Sequence, residues 1–273
     1  MRATTLRTTV CIPAHNEAST IKQVVELVHR ASRHRRGLIA EVLVVDDRST
    51  DGTADIAAAA GARVLFTADE CSNFGGSRGK GDAIWTGLRR CETELITFID
   101  ADVTTLSSRF VERLNAPLLR SRDVHLVKGR FRRASGRNVS GRVTMLTARP
   151  LLSLLHPEIG HLKEPLSGMF AGRVDTLGEL WLDCDYGVDV GILLDVVNAV
   201  GPQSVVEVDL GELRHRNRDL DSLSVTAEQV ARAILARSSQ SAMLHDDISV
   251  RRVPPRWGAA TLRTPVVGGR PVD

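Results

Sequence analysis

Two carboxylates two residues apart, Asp100 and Asp102, close a short apolar run that begins at Leu95. Apolar runs of this length, bounded by polar residues, read as buried parallel strands. Open α/β sheets gather ligands at the carboxyl ends of such strands. Two acids there, separated only by Ala101, make an oxygen-rich corner of the kind that holds a divalent cation bridging phosphates. A strand that merely ends in a polar turn has the same pattern, so the pair needs company. It has company in Pro13-Ala14-His15-Asn16-Glu17, in Asp46-Asp47-Arg48-Ser49-Thr50-Asp51-Gly52-Thr53, and in the glycine-rich loop 72–82 that carries Lys80. That loop lacks the spacing of a P-loop, but mobile backbone with a lysine at a helix start fits an anionic ligand.

These stretches fall at matching places in a repeated pattern. Residues 8–12 form a β-branched strand that Pro13 is expected to break, and Ile21 to Val28 carry a helical stripe with a Thr20/Gln23 capping box at its start. Residues 41–45 form the next strand. The helix 53–60 after it is capped by Thr50 or Asp51 and closed by Gly61. A third strand covers 62–66, and a helix over 83–89 leads back to the Asp100/Asp102 strand. Three β-α units in a row imply a doubly wound parallel sheet. The acids and the loop then share one rim. No G-x-G-x-x-G follows the first strand, which disfavours a dinucleotide-binding domain.

The second half is read more coarsely. Residues 124–128 form a strand. A cluster of Arg130, Arg132, Arg133, Arg137 and Arg142 follows, either a solvated basic loop or a pocket for an acidic acceptor, since guanidinium groups grip carboxylate and phosphate bidentately. Gly141 to Thr144 start an apolar helical run over 145–155. The Pro- and Gly-punctuated stretch 164–173 lines the site. Asp189 starts a helix over 190–200. Residues 204–210 form the last strand, which feeds His215, and 226–237 form a surface helix.

Composition narrows the class. The chain has 273 residues, 42% of them hydrophobic, enough for a large core. Net charge is +3, and of 36 basic residues only Lys22, Lys80, Lys128 and Lys163 are lysines. The arginine skew reads as base composition. With aromatics at 4% and not interleaved with the arginines, no nucleic-acid partner is expected. Cys11, Cys71, Cys91 and Cys184 show no C-x-x-C pairing, which points to a reduced, cytoplasmic setting. Residues 1–9 lack the apolar core of a secretory signal, and no stretch approaches a membrane span.

The order Pro-Ala-x-Asn-Glu, Val-Val-Asp-Asp-x-Ser-x-Asp-Gly-Thr, Gly-x-Gly-Lys-Gly and Asp-Ala-Asp resembles a GT-A nucleotide-sugar glycosyltransferase. Val-His-Leu-Val-Lys at 124–128, Gly-Arg-Val-Thr at 141–144, Ala-Arg-Pro-Leu-Leu at 148–152, Tyr-Gly-Val-Asp at 186–189 and His-Arg-Asn-Arg at 215–218 resemble the glucosyl-3-phosphoglycerate synthase family of actinobacteria. The similarity runs over about residues 8–237. It implies a GT-A fold, with a Rossmann-like, mostly parallel sheet flanked by helices and a C-terminal acceptor-binding region. It also implies a retaining transferase that moves glucose from UDP-glucose to 3-phosphoglycerate with Mg²⁺ or Mn²⁺. The expected organisation is a donor half at 1–122, an acceptor half at 123–245 of the same domain, and a poorly ordered tail at 246–273. A homodimer is the expected assembly.

Carried over by position, Pro13, Ala14, Glu17, Asp47, Ala101 and Asp189 join Lys80 and Asp102 in holding the donor. Lys80, Asp100 and the Leu166 backbone carbonyl stand at the reacting centre. Asp102 and His215 hold the metal. Arg142, Thr144, Met169, Tyr186 and Asn217 face the acceptor. The sequence departs from the family in having Asp47 for Ser, Asp189 for Glu, and Met169-Phe170 where the family has Glu-Tyr. The alternatives are a homologue using another donor, such as a GDP-sugar, with another small acceptor, and a nucleotidyltransferase, which also uses paired aspartates and a Gly/Lys loop but releases pyrophosphate.

Overall fold

Strand β1 (Thr8–Ala14) is buried along nearly its whole length, and its β-branched residues fill both faces of the sheet. The computed structural model describes residues 6–103, 105, 107–133, 141–213, 220–238, 250–252, 266–267 and 270–271. The chain continues through α1 (Ile21–Ala31), β2 (Ile39–Asp46), α2 (Thr53–Ala59), β3 (Arg63–Phe66) and a single turn α3 (Thr67–Glu70). Next come α4 (Lys80–Arg90), β4 (Leu95–Phe98), α5 (Phe110–Arg120) and β5 (Leu126–Arg133). A π-helical turn (Thr144–Ala148) then runs into α6 (Arg149–Leu155). The remainder is β6 (Phe170–Arg173), α7 (Val174–Leu177), β7 (Trp181–Asp183), α8 (Val188–Val200), β8 (Val205–Leu213), α9 (Leu220–Ala236) and β9 (Val250–Arg252).

Seven strands form one sheet in the order β3-β2-β1-β4-β6-β5-β8. All neighbours are parallel except that β6 runs antiparallel to both β4 and β5. The sheet is mostly parallel, as expected, and the stretch expected only to line the site supplies the antiparallel strand. From β1 the chain moves outward to β2 and β3, then returns to lay β4 on the other side of β1. The seam between β1 and β4 is thus the topological switch point, where ligands of such sheets bind.

Pro13 does not break β1; it sits inside the strand opposite Val45. Alternation along β1 explains why. The Ala14 carbonyl accepts from Asp47 N on the β2 side, and the Cys11 carbonyl accepts from Ile99 N on the β4 side. Pro13 faces β4, where it has no N–H to give, and β1–β4 pairing stops at Cys11 and Phe98. The proline thus opens the seam while leaving the strand intact.

Alternating strand residues feed two apolar cores, one on each face. Val10, Ile12, Val44 and Leu95 pack with α1 and α5. Cys11, Leu43, Ile96 and Phe98 pack with α4, α8 and α9. Several boundaries differ from expectation. Helix α4 begins at Lys80, so the end of the glycine-rich loop is already the first helical turn; the Asp82 carboxylate accepts from Arg78 N at 2.6 Å and closes it. The Thr20 hydroxyl does not cap α1 but turns back to the Glu17 carbonyl and carboxylate. Gly52 is the residue before α2, while the neighbouring Asp51 accepts from Thr53 N at 3.1 Å.

Helix α9 is no surface helix: Val230, Ala233 and Ile234 are buried, and Arg237 just beyond it pairs with Asp183 (3.0 Å) and Asp195 (2.7 Å). In the tail, β9 pairs antiparallel with β7; the rest of that expectation falls mostly outside the described residues. All four cysteines are buried and free. No described helix is long and apolar enough to cross a membrane.

Candidate active site

The carboxyl ends of β1, β2 and β4 open onto a cavity of about 520 Å³. Its walls include Pro13, Ala14, Glu17, Asp47, Lys80, Asp100, Ala101, Asp102, Arg142, Thr144, Leu166, Tyr186 and Asp189. The residues singled out from separate stretches of the sequence therefore meet at one place. His215 and Asn217 lie outside the described residues. Met169 is not brought to the cavity: it is wholly buried in the core that includes α1 and α5. Just ahead of β6, Met169 turns into that core and Gly168 faces the cavity instead. Of the arginine cluster, Arg137 lies outside the described residues and Arg142 lines the cavity, while Arg130 pairs with Asp209 at 3.4 Å.

The two loops at the β1–β2 end are laced together. The Nδ1 of His15 donates to the Asp47 carbonyl at 2.6 Å, and its Nε2 accepts from Asn16 Nδ2 at 3.2 Å. Backbone amides of Asn16, Glu17 and Ala18 donate to Ser49, Thr53 and Asp51. The Asp47 carboxylate takes a two-pronged bond from Arg48, at 3.0 Å on each oxygen, and its Oδ1 also accepts from Thr67 and Ser77. Burial opposes its ionisation, but these donors outweigh burial and hold the pKa below the ordinary carboxylate range. Arg48 does this from a left-handed backbone, φ 59°, rare for a side chain of that size.

At the centre stands Lys80. Its ammonium lies 3.2 Å from Asp100 Oδ1 and 2.8 Å from Asp189 Oδ2. Burial disfavours the charged amine, yet the two carboxylates outweigh burial and raise its pKa well above the usual value. The other Asp189 oxygen, Oδ1, is buried and has no hydrogen-bond partner among the described residues. Gly168 presses directly on this group: a Cβ there would stand 2.2 Å from Asp100 Oδ1 and 2.4 Å from Lys80 Nζ.

Asp102 forms no ion pair among the described residues, and Lys80 acts on it only as a minor influence. Its carboxyl is pushed up to about 6, first by burial and then by the negative charges of Asp100 and Glu17. Lys80 supplies one positive charge against the two carboxylates of Asp100 and Asp189, and the charges of Asp100 and Glu17 both press on Asp102. That donor set fits a divalent cation. Among the described residues no cluster of three or more His, Cys, Asp or Glu could hold a metal on its own. A cation at Asp102 would complete its coordination from a ligand's phosphate oxygens or from beyond the described residues, where His215 lies.

Gly168 and Arg78 line the cavity from the stretches 164–173 and 72–82, while Arg48 and three α9 residues, Leu223, Thr226 and Val230, line it without having been singled out in the sequence. Arg48 stood beside the paired Asp46 and Asp47 and was legible there. Nothing local in α9 signals a ligand; only the packing of that helix brings it to the site.

The model of glycosyl transferase family 2 matches residues 9–180. Glucosyl-3-phosphoglycerate synthase of Mycolicibacterium smegmatis is 38% identical over 84% of this chain and 76% of that protein. The Petrotoga mobilis synthase is 33% identical over 85% and 73%. A crystal structure of the Mycobacterium tuberculosis synthase with Mn²⁺, UDP-glucose and phosphoglyceric acid superposes with a TM-score of 0.80 at 35% identity, covering 90% of this chain and 84% of that one. A second, with Mg²⁺ and UDP, gives the same score at 35% identity, covering 96% and 89%.

Proposed function

The chain belongs to glycosyl transferase family 2 and is a homologue of the glucosyl-3-phosphoglycerate synthases, and from that premise we propose that it transfers a hexose, with retention, from UDP-glucose to a small anionic acceptor such as 3-phosphoglycerate. The observation that carries this reading is the Lys80–Asp100–Asp189 cluster beside the buried Asp102, at the seam that Pro13 opens. Residues 1–122 supply the donor side and 123–245 the acceptor side. The enzyme works in the cytoplasm as a homodimer.

The nucleotide lies along Pro13, Ala14, Glu17 and Asp47, with Arg48 as the donor group at that end and Ala101 beneath. A cation held by Asp102 and His215 would neutralise the diphosphate as it leaves. Lys80 adds positive charge toward the same oxygens. Asp189, on the cavity wall, faces the donor sugar. Arg142, Thr144, Tyr186 and Asn217 hold the acceptor, and the Arg142 guanidinium binds its carboxylate or phosphate.

Retention is what the resemblance to the synthases implies, and the cavity carboxylates bear only on how it would be achieved. Asp100 and Asp189 are bound to Lys80, Asp47 to Arg48, and Glu17 accepts from Thr20. None of these stands free as a nucleophile for a double displacement, and Asp102 is taken by the cation in this reading. The acceptor hydroxyl oxygen therefore bonds to the anomeric carbon on the face that the diphosphate leaves, and its proton passes to the departing phosphate oxygen. The Leu166 carbonyl and Asp100 border that face.

The test is a transfer assay with Mn²⁺, UDP-glucose and 3-phosphoglycerate, read by UDP release and by the anomeric configuration of the product. An α-linked product supports the reading. A β-linked product overturns retention, and release of pyrophosphate overturns glycosyl transfer. GDP-glucose in place of UDP-glucose tests the donor: faster transfer from it would move the base assignment.

A further inference from the structure

Lys128 is one of the four lysines and is only 1% exposed. It lies on β5, opposite Phe170 of β6, and is absent from the cavity walls. A lysine this deep is rare unless its ammonium is held. Here it donates to the Ser167 carbonyl at 2.7 Å and the Asp189 carbonyl at 3.1 Å, with the Phe170 ring centroid 5.1 Å away. Both carbonyls belong to residues at the site: one between Leu166 and Gly168, the other in the first turn of α8.

The Leu166 peptide is fixed from both ends. Ser167 N donates to the Glu164 carbonyl at 3.0 Å, while the Ser167 carbonyl is gripped by Lys128. In a trans peptide the Leu166 C=O points opposite to the Ser167 N–H, away from Glu164. Gly168 then lies with Lys80 and Asp100 on its open side and Lys128 behind the wall. We propose that Lys128 is a positioning residue: its buried ammonium ties the Leu166–Gly168 wall to the first turn of α8, and so keeps the Leu166 carbonyl and the Asp189 carboxylate in register with Lys80. This rests on the glycosyl transfer proposed for that cavity.

The charged groups around Lys128 are Asp189, Lys80, Asp100 and Glu207. Burial lowers its pKa to about 8, helped by Lys80 and opposed by the three carboxylates. The grip therefore weakens in mildly alkaline solution, which a purely apolar support would not do.

The experiment compares wild type, K128M and K128R with Mn²⁺, UDP-glucose and 3-phosphoglycerate. We expect K128M to lower kcat by about 10²-fold, the cost of a misplacement on the order of 1 Å, with UDP affinity within threefold. Wild-type kcat/KM should fall above about pH 8. K128M should lack that limb, and K128R should move it beyond pH 9. Hydrogen exchange at fixed pH should show faster exchange in K128M at 164–169 and 188–192, with other segments unchanged. A K128M enzyme within threefold of wild-type kcat, or an unchanged alkaline limb in K128R, overturns the proposal. If wild type transfers nothing, the proposed function fails by itself, and the exchange data decide the role of Lys128: unaltered exchange at both segments refutes it.

Discussion

Gly168→Ala places a methyl group against the two side chains on which the site turns. The new Cβ would lie 2.2 Å from Asp100 Oδ1 and 2.4 Å from Lys80 Nζ. Ordinary contact begins near 3.4 Å, so both groups must retreat. A displacement of about 1 Å at a reacting centre costs on the order of 10² in rate, or about 2.7 kcal/mol at 1.36 kcal/mol per tenfold. The clash falls on side-chain ends that border the cavity. The added methyl also narrows the unfolded ensemble, worth about 0.4–1 kcal/mol in the opposite direction. Thermal stability should therefore shift by only a few degrees while kcat falls about a hundredfold. The assay is steady-state UDP release with Mn²⁺ and UDP-glucose, paired with a melting curve. If the variant folds and keeps kcat within threefold of wild type, the Lys80–Asp100 pair does not govern the reaction.

Asp102→Asn should raise the melting temperature of the metal-free protein at pH 7. The folded carboxyl keeps its proton up to about pH 6 and the unfolded one only to about pH 4. Stability from this group is thus fully present below about pH 4 and is lost as pH rises through about 6. The gap between variant and wild type should shrink from pH 7 to pH 5, and no gap at pH 7 would contradict the charge assignment. Arg142→Ala should raise the acceptor KM by roughly 10- to 100-fold, the worth of one charge-assisted bond, with the donor KM little changed; equal effects on both would argue against an anionic acceptor. Arg237→Met leaves Asp183 and Asp195 without their shared cation. It should cost about 3–5 kcal/mol, a fall in Tm of roughly 6–20 °C, and a fall under 2 °C would show that network to be dispensable.

The donor rim was legible because it is local. Glu17, Asp47, Asp100 and Asp102 each sit within a few residues of a strand end, Lys80 opens a helix after a glycine-rich loop, and β-α repetition places these points side by side. Pro13 shows the limit of such reading. Its ring was expected to end a strand, yet which side of the strand lost its donor depended on the neighbours of β1. Met169 shows another. Just ahead of β6, Gly168 faces the cavity and Met169 the core, and β6 had not been recognised as a strand. Lys128 and α9 act through packing between elements far apart in sequence, which no local pattern reports.

The proposed transfer requires Asp102 and a divalent cation to grip a nucleotide diphosphate at this seam. Calorimetric titration of UDP into wild type and Asp102→Ala, each with and without Mn²⁺, is the decisive measurement. Wild-type binding should strengthen at least tenfold with Mn²⁺, and in Asp102→Ala the metal should make no difference. Equal Mn²⁺-dependent affinity in both proteins would contradict it.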